Sequence, residues 1–352
     1  MNQYELFAGK AYSFALNKEI KEGPNYDLIV KILSDFDESL KPVSIVDSGS
    51  NESYDEYLIT SEESLFTLKV SLDKDCQVLK NEINFLKENK SLITPKYYSS
   101  GLIKSNFSVL FLLTSFEKGL DIDDLGVSYI DSNIKSLLFS LYAFNKLKTS
   151  ITPEEYFNYF FDNFSVKNGS DFLIENISNN HNIEDIYYVF DQIKDEILSS
   201  YRPDIINGND TCHGFLSKRN VISRNSAFKF KNLNFTFKGN RLYDFSFLLV
   251  SLGLNGRDYS YAIKKYCDSF DLVFKETKPL VDHCAKIASG IYLYKLFFDF
   301  LIEESLFLNS RPEKALSLIS DFSNSSPHLN RLSCCGSVSE IAETIISRQA
   351  SD

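Results

Sequence analysis

The texture of this chain changes once, near Gly119, and that change limits what it can fold into. From about 43 to 117 the sequence is strand-like. SLFTLKVSL alternates, with Leu65, Thr67 and Lys69 on one face and Phe66, Leu68 and Val70 on the other. FSVLFLLTSF is a continuous apolar run of strand length, as in a strand covered on both faces. Between them, DCQVLKNEINFLKEN places Val78, Leu79, Ile83 and Leu86 on one side of a helix. Beyond Gly119 helical spacing takes over, around 132–148, 153–163, 182–200, 258–275, 279–308 and 311–321. It is interrupted at 212–245, where short strand-like runs alternate with turns. Strands first and helices second predict an α+β, bilobal chain with a sheet lobe and a helical lobe.

At 352 residues the chain can bury a large core. Its 30 Phe and 20 Tyr, with no Trp, predict interiors packed with rings. We read 1–42 as an N-terminal helical extension, 43–117 as the sheet lobe and 118–352 as the helical lobe, with a last short helix near 338–348. The most apolar stretch, Ile291 to Leu308, carries Lys295, Asp299 and Glu303 at every fourth residue. That polar stripe suits a helix buried in a globular lobe and does not suit a membrane span. A net charge of −11 lacks the basic footprint that nucleic acid requires, and it would suit a cationic small ligand. Six cysteines without a CxxC pair, and a start without the regions of an export signal, predict reduced thiols and a cytoplasmic protein. The four histidines lack ligand spacing, which argues against structural zinc.

Several features of the sheet lobe have a use in nucleotide binding. Ser48-Gly49-Ser50-Asn51 reads as a turn between strands, where backbone N–H groups could approach phosphates. Lys69 follows on a strand, and Glu82 stands thirteen residues later on the helix. A lysine so placed can hold the α/β-phosphates while a glutamate fixes it as an ion pair. The strand ending at Ser115 and Phe116 offers backbone groups to an adenine. Taken singly, Lys69 reads as an edge residue and Glu82 as a surface charge; their order and spacing carry the argument.

The loop Cys212 to Ile222, CHGFLSKRNVI, makes the pattern specific. With RLYDF further on, the chain resembles the protein-kinase-like fold in its aminoglycoside phosphotransferase and choline kinase branch. That branch carries H-G-D-x-x-x-x-N, matched here by His213, Gly214 and Asn220, and a later Asp motif, matched by Arg241, Leu242, Tyr243 and Asp244. Gly49, Asn51, Tyr54, Lys69 and Glu82 fit the branch's sheet-lobe positions. The motifs span about 43–250, and the texture continues to about 320. The resemblance implies ATP, held by Gly49, Asn51, Lys69, Glu82, Ser115 and Phe116, and Mg²⁺ at Asn220 and at the residue twelve before Asp244.

Two departures decide the reading. Phe215 stands where the branch has the aspartate that orients the acceptor hydroxyl and takes its proton. Asn232 stands where a metal-binding aspartate is expected. A neutral amide is a poor ligand for Mg²⁺, so that site is weakened. Phosphoryl transfer rests almost wholly on positioning and electrostatics, and loss of a general base alone costs about 10²–10⁴ in rate. Lys218 and Arg219 either face solvent or bring charge to a phosphate in partial compensation. The chain therefore reads as a pseudokinase that binds a nucleotide, a small molecule or a protein partner, with no nucleic-acid or membrane role. The alternative is an ATP-dependent phosphotransferase acting on a small hydroxylated substrate by an altered mechanism. That substrate would be cationic if the acidic run with Asp121, Asp123 and Asp124 attracts it. A nucleotide-transfer reaction is a third reading.

Overall fold

The computed structural model describes residues 19–50, 53–62, 64–104, 108–165, 183–307 and Leu332. They fall into two compact units. One takes the chain up to Gly119 together with a short return, Lys229–Asn234; the other takes Leu120–Phe228 and the chain from Phe235 onward.

In the first unit, β1 (Pro42–Ser50), β2 (Asp55–Ser61), β3 (Leu65–Ser71), β4 (Tyr97–Lys104) and β5 (Ser108–Ser115) form an antiparallel sheet in the order β1-β2-β3-β5-β4. The alternation in β3 sends Phe66, Leu68 and Val70 into a core shared with Ile45, Tyr57, Ile59 and Leu113. Helix α1 (Pro24–Phe36) begins with Pro24, whose fixed φ suits a first turn. Its Ile29, Ile32 and Leu33 share one face, and that face closes the same core. Helix α2 (Gln77–Glu88) buries Val78, Leu79, Ile83 and Leu86, the face expected from spacing, and buries Glu82 with them.

One local expectation changes. Gly49 is not in a turn: β1 continues through Ser50, and Gly49 pairs with Glu56 just past a register shift at Asp47. Glycine is favoured at such irregularities because it tolerates the local bend.

The second unit carries helices α3 (Ile122–Asn145), α4 (Pro153–Asn163), α5 (Ile183–Ser200), α6 (Pro203–Ile206), α7 (Leu242–Ser251), α8 (Gly256–Ser269) and α9 (Phe274–Phe307). Short strands β7 (Asp210–Cys212) and β10 (Phe237–Gly239) pair antiparallel. Strands β6 (Leu120–Asp121), β8 (Val221–Arg224) and β9 (Ala227–Phe230) form a second small sheet, with β9 running on into the first unit. Helix α3 starts at Ile122, earlier than spacing predicts, and takes in most of the acidic run Asp121, Asp123 and Asp124. Acidic residues are favourable in a first helical turn, where they meet the positive end of the macrodipole.

Helix α4 is fixed by a capping box: the Glu155 backbone N–H donates to the Thr152 hydroxyl, and the Thr152 N–H donates to the Glu155 carboxylate. Helix α7 is buried along its whole length, with its polar Asp244, Ser246 and Ser251 hydrogen-bonded. The stretch from Ile291 lies in α9 with Ile291, Leu293, Phe297 and Phe298 buried, and Lys295 pairs with Asp299 along its polar stripe. Among the described residues no helix is long and apolar enough to cross a membrane. The segments 311–321 and 338–348 expected as helices lie outside the described residues.

Candidate functional site

Strand β3 and helix α2 bring Lys69 and Glu82 together as their spacing predicts. The Lys69 ammonium donates to Glu82 Oε2 at 2.7 Å, and the residues are 5% and 3% exposed. A buried pair of this kind persists only when its hydrogen bonds are complete. Lys69 makes a second bond, 3.1 Å long, to the side-chain oxygen of Asn232. Glu56 Oε2 lies 3.9 Å from the same ammonium, and the Tyr54 ring centroid is 4.9 Å away. Burial opposes the charge on Lys69, but Glu82, Tyr54 and Glu56 together hold its pKa above the ordinary lysine value. Burial pushes the Tyr54 phenol up to about 12, with Lys69 acting in the opposite direction.

Asn232 sits at φ 58°, in the left-handed region. Asn is among the few residues besides glycine that enter it readily. The hydrogen bond from a charged donor, worth about 1.5–3 kcal/mol, offsets the conformational cost. The segment has further ties within its unit. The Leu233 N–H donates to Glu82 Oε1 at 3.4 Å, the Phe230 N–H donates to the Ile93 carbonyl at 2.8 Å, and Lys229 pairs with Glu117 at 2.5 Å.

The second half of the predicted constellation is the loop after β7. Its frame rests on Asp244, which is fully buried in α7. The His213 N–H donates to both Asp244 oxygens at 2.9 and 2.8 Å, and the Gly214 N–H donates at 3.3 Å. Asn145 bridges the Thr211 carbonyl and Asp244. Burial pushes the Asp244 carboxyl up to about 7, although all of these hydrogen bonds act in the opposite direction. Gly214 has φ 81°, and a Cβ there would lie 2.1 Å from the Phe235 carbonyl oxygen. Only glycine fits. Tyr156 of α4 donates its hydroxyl to the Gly214 carbonyl at 2.7 Å and lies 3.1 Å from the Tyr243 hydroxyl, closing the frame from the other side.

Phe215 extends from this frame into an aromatic cluster. Its half-buried ring meets Phe247 edge to face at 4.9 Å, is nearly parallel to Phe160 at 6.2 Å, and is tilted against Tyr292 at 6.3 Å. These rings come from α7, α4 and α9. The loop then turns back on itself: the Asn220 amide nitrogen donates to the Phe215 carbonyl at 2.8 Å, and the Lys218 N–H donates to the Ser251 hydroxyl at 3.0 Å. Lys218 is partly exposed and Arg219 exposed, on a single 3-10 turn.

The other expected nucleotide contacts have mixed placements. Ser115 at the end of β5 accepts a bond from the Lys96 N–H at 2.8 Å and donates to Glu117 at 2.6 Å. The Phe116 N–H already donates to the Leu65 carbonyl. Gly49 lies on β1, and Asn51 is outside the described residues. The sequence reading missed Glu56, whose position beside Lys69 follows from the β2–β3 register, and missed the ties of Asn145 and Tyr156 to the loop.

The chain matches no sequence-family model and no curated protein. Its backbone is nevertheless that of the protein-kinase-like fold, with a sheet region first and a helical region after it. The solved structures similar to it include choline kinase LicA from Streptococcus pneumoniae, with TM-score 0.53 and 11% identity over 86% of this chain and 99% of that one. They also include the apo form of a thermostable mutant of aminoglycoside phosphotransferase APH(4)-Ia, with TM-score 0.52 and 10% identity over 92% and 99% of the two chains. A third is amicoumacin kinase hAmiN in complex with AMP-PNP, Ca²⁺ and Ami, with TM-score 0.51 and 9% identity over 86% and 94%.

Such neighbours raise the question whether the residues here fit a divalent cation. The Asn232 oxygen accepts from an ammonium, and the Asn220 amide nitrogen donates to the Phe215 carbonyl within its own loop. Among the described residues no group of three His, Cys, Asp or Glu is placed to hold a metal ion. Neutral amide oxygens bring no formal charge to a hard divalent cation, so Asn232 is a weaker ligand than a carboxylate would be.

Proposed function

We propose that this chain is a pseudokinase of the aminoglycoside phosphotransferase and choline kinase type, which acts by binding rather than by phosphoryl transfer. One observation carries the reading. Phe215, at the loop position expected to hold the acceptor's base, points a hydrocarbon ring into a cluster with Phe160, Phe247 and Tyr292. A phenyl ring can neither accept a proton nor orient a hydroxyl by hydrogen bonding. The state of Asn232 supports the same conclusion, because phosphoryl transfer depends on charge neutralisation that an amide bonded to lysine does not provide.

The retained Lys69–Glu82 pair makes a nucleotide the first ligand to try, with Lys69 meeting a phosphate and the backbone near Ser115 and Phe116 meeting the base. A small molecule or a protein partner at the helical unit is the companion proposal. The buried thiols Cys76, Cys212, Cys267 and Cys284 are all unbridged, which suits a reducing cytoplasm. Calorimetry with ATP, with and without Mg²⁺, on wild type and Lys69→Ala tests the binding half of the proposal. Sustained transfer of phosphate from ATP to any hydroxylated acceptor by the wild type would overturn the non-catalytic half.

A further inference from the structure

We infer that the Lys69 ammonium has taken over the place of a divalent cation, fastening the segment Lys229–Asn234 to the sheet unit by a lock that needs neither metal nor nucleotide. All of these contacts lie inside that unit. The family resemblance stated from the sequence implies a metal-binding carboxylate at position 232. Here the residue presents a neutral oxygen, and that oxygen lies 3.1 Å from Lys69 Nζ. That oxygen therefore already accepts from a cation, one that is covalently part of the protein.

The glutamate partner completes the lock from the other side. Glu82 uses one oxygen for Lys69 and places the other 3.4 Å from the Leu233 N–H. One lysine–glutamate pair thus holds two consecutive residues of the return segment, one through a side chain and one through the backbone. The left-handed backbone at Asn232, φ 58°, turns its oxygen toward the lysine while leaving the next amide facing the glutamate. Phe230 and Lys229, tied to Ile93 and Glu117, pin the approach to this turn. A lysine so engaged is poorly placed to accept a metal beside it, because like charges at contact distance repel strongly where water is scarce.

The inference stands apart from whether any phosphate is transferred, since it concerns the resting arrangement of one segment. Amide hydrogen exchange of residues 229–234 tests it, read against the β3 and β5 amides as an internal reference for global stability. The proteins compared are wild type, Asn232→Gly, and the double variant Lys69→Met with Glu82→Leu. Asn232→Gly keeps the left-handed backbone while removing the oxygen. The double variant removes the pair without leaving a buried charge. Each is run in chelator and in excess Mg²⁺, without nucleotide. The expected result is exchange at Leu233 faster by roughly ten- to a hundredfold in both variants relative to the β3 reference. Mg²⁺ should leave all three proteins unchanged. Slower exchange of the wild-type segment on adding Mg²⁺, or variants that exchange like wild type, would overturn the inference. Phosphate transfer by the wild type would bear on the proposed function and leave this result untouched.

Discussion

Phe215 meets Phe247 edge to face with ring centroids 4.9 Å apart, so a residue of the catalytic-type loop is bound into the aromatic core of the helical unit. Edge-to-face pairs of this kind contribute about 0.5–1.5 kcal/mol beyond the area they bury. The position has a packing role, which makes it costly to replace.

Phe215→Asp should therefore destabilise the protein by about 2–4 kcal/mol, because it removes the ring and places a carboxylate among Phe160, Phe247 and Tyr292. Combined with Asn232→Asp it should restore no ATP turnover. Urea unfolding and an ADP-release assay check the two halves of this expectation.

Removing Lys69 alone strands Glu82. Lys69→Met should cost about 3–5 kcal/mol, the usual penalty for leaving one member of a buried pair uncompensated. Lys69→Met with Glu82→Leu should recover most of that loss, since an apolar replacement for both partners is often neutral. Chemical denaturation of the single and double variants distinguishes a structural pair from an ornamental one.

Asp244 gives a pH signature. Burial raises its carboxyl to about 7 in the folded chain, above the ordinary value of 3.8. The folded state then binds the proton more tightly than the unfolded state between these values. Its contribution to stability is fully present below about 3.8 and is lost as pH rises through about 7. The melting temperature of wild type relative to Asp244→Asn should accordingly fall across that window and level off above it. A flat difference between the two proteins would mean that Asp244 does not titrate there.

Gly214→Ala tests the loop frame. The new Cβ would fall 2.1 Å from the Phe235 carbonyl oxygen at a backbone φ of 81°. A loss of at least about 2 kcal/mol is expected from strain and clash together, measured by thermal unfolding.

Much of this arrangement was legible in the sequence, and the exceptions have physical causes. Lys69 and Glu82 were found because a strand followed by one helix leaves few ways to place them, and the α2 face followed from apolar spacing. Glu56 was not, since its approach to Lys69 depends on the β2–β3 register, which alternation alone does not fix. The start of α3 was missed because Asp and Gly read as loop residues until the helix dipole is considered. Nothing local in KFKNLN announces that this run returns to the sheet unit; that emerges only from its contacts with Lys69, Glu82, Ile93 and Glu117. The loop after β7 was recognised by its glycine and histidine, but the aromatic destination of Phe215 required the packing of three helices.

The most direct test of the central claim is multiple-turnover ADP formation from ATP and Mg²⁺, comparing wild type with Lys69→Met across a panel of hydroxylated acceptors and water. The account predicts that the two proteins are indistinguishable and that neither releases more than one ADP per chain. Many ADP per wild-type chain, lost in Lys69→Met, would contradict it and make this protein a working phosphotransferase.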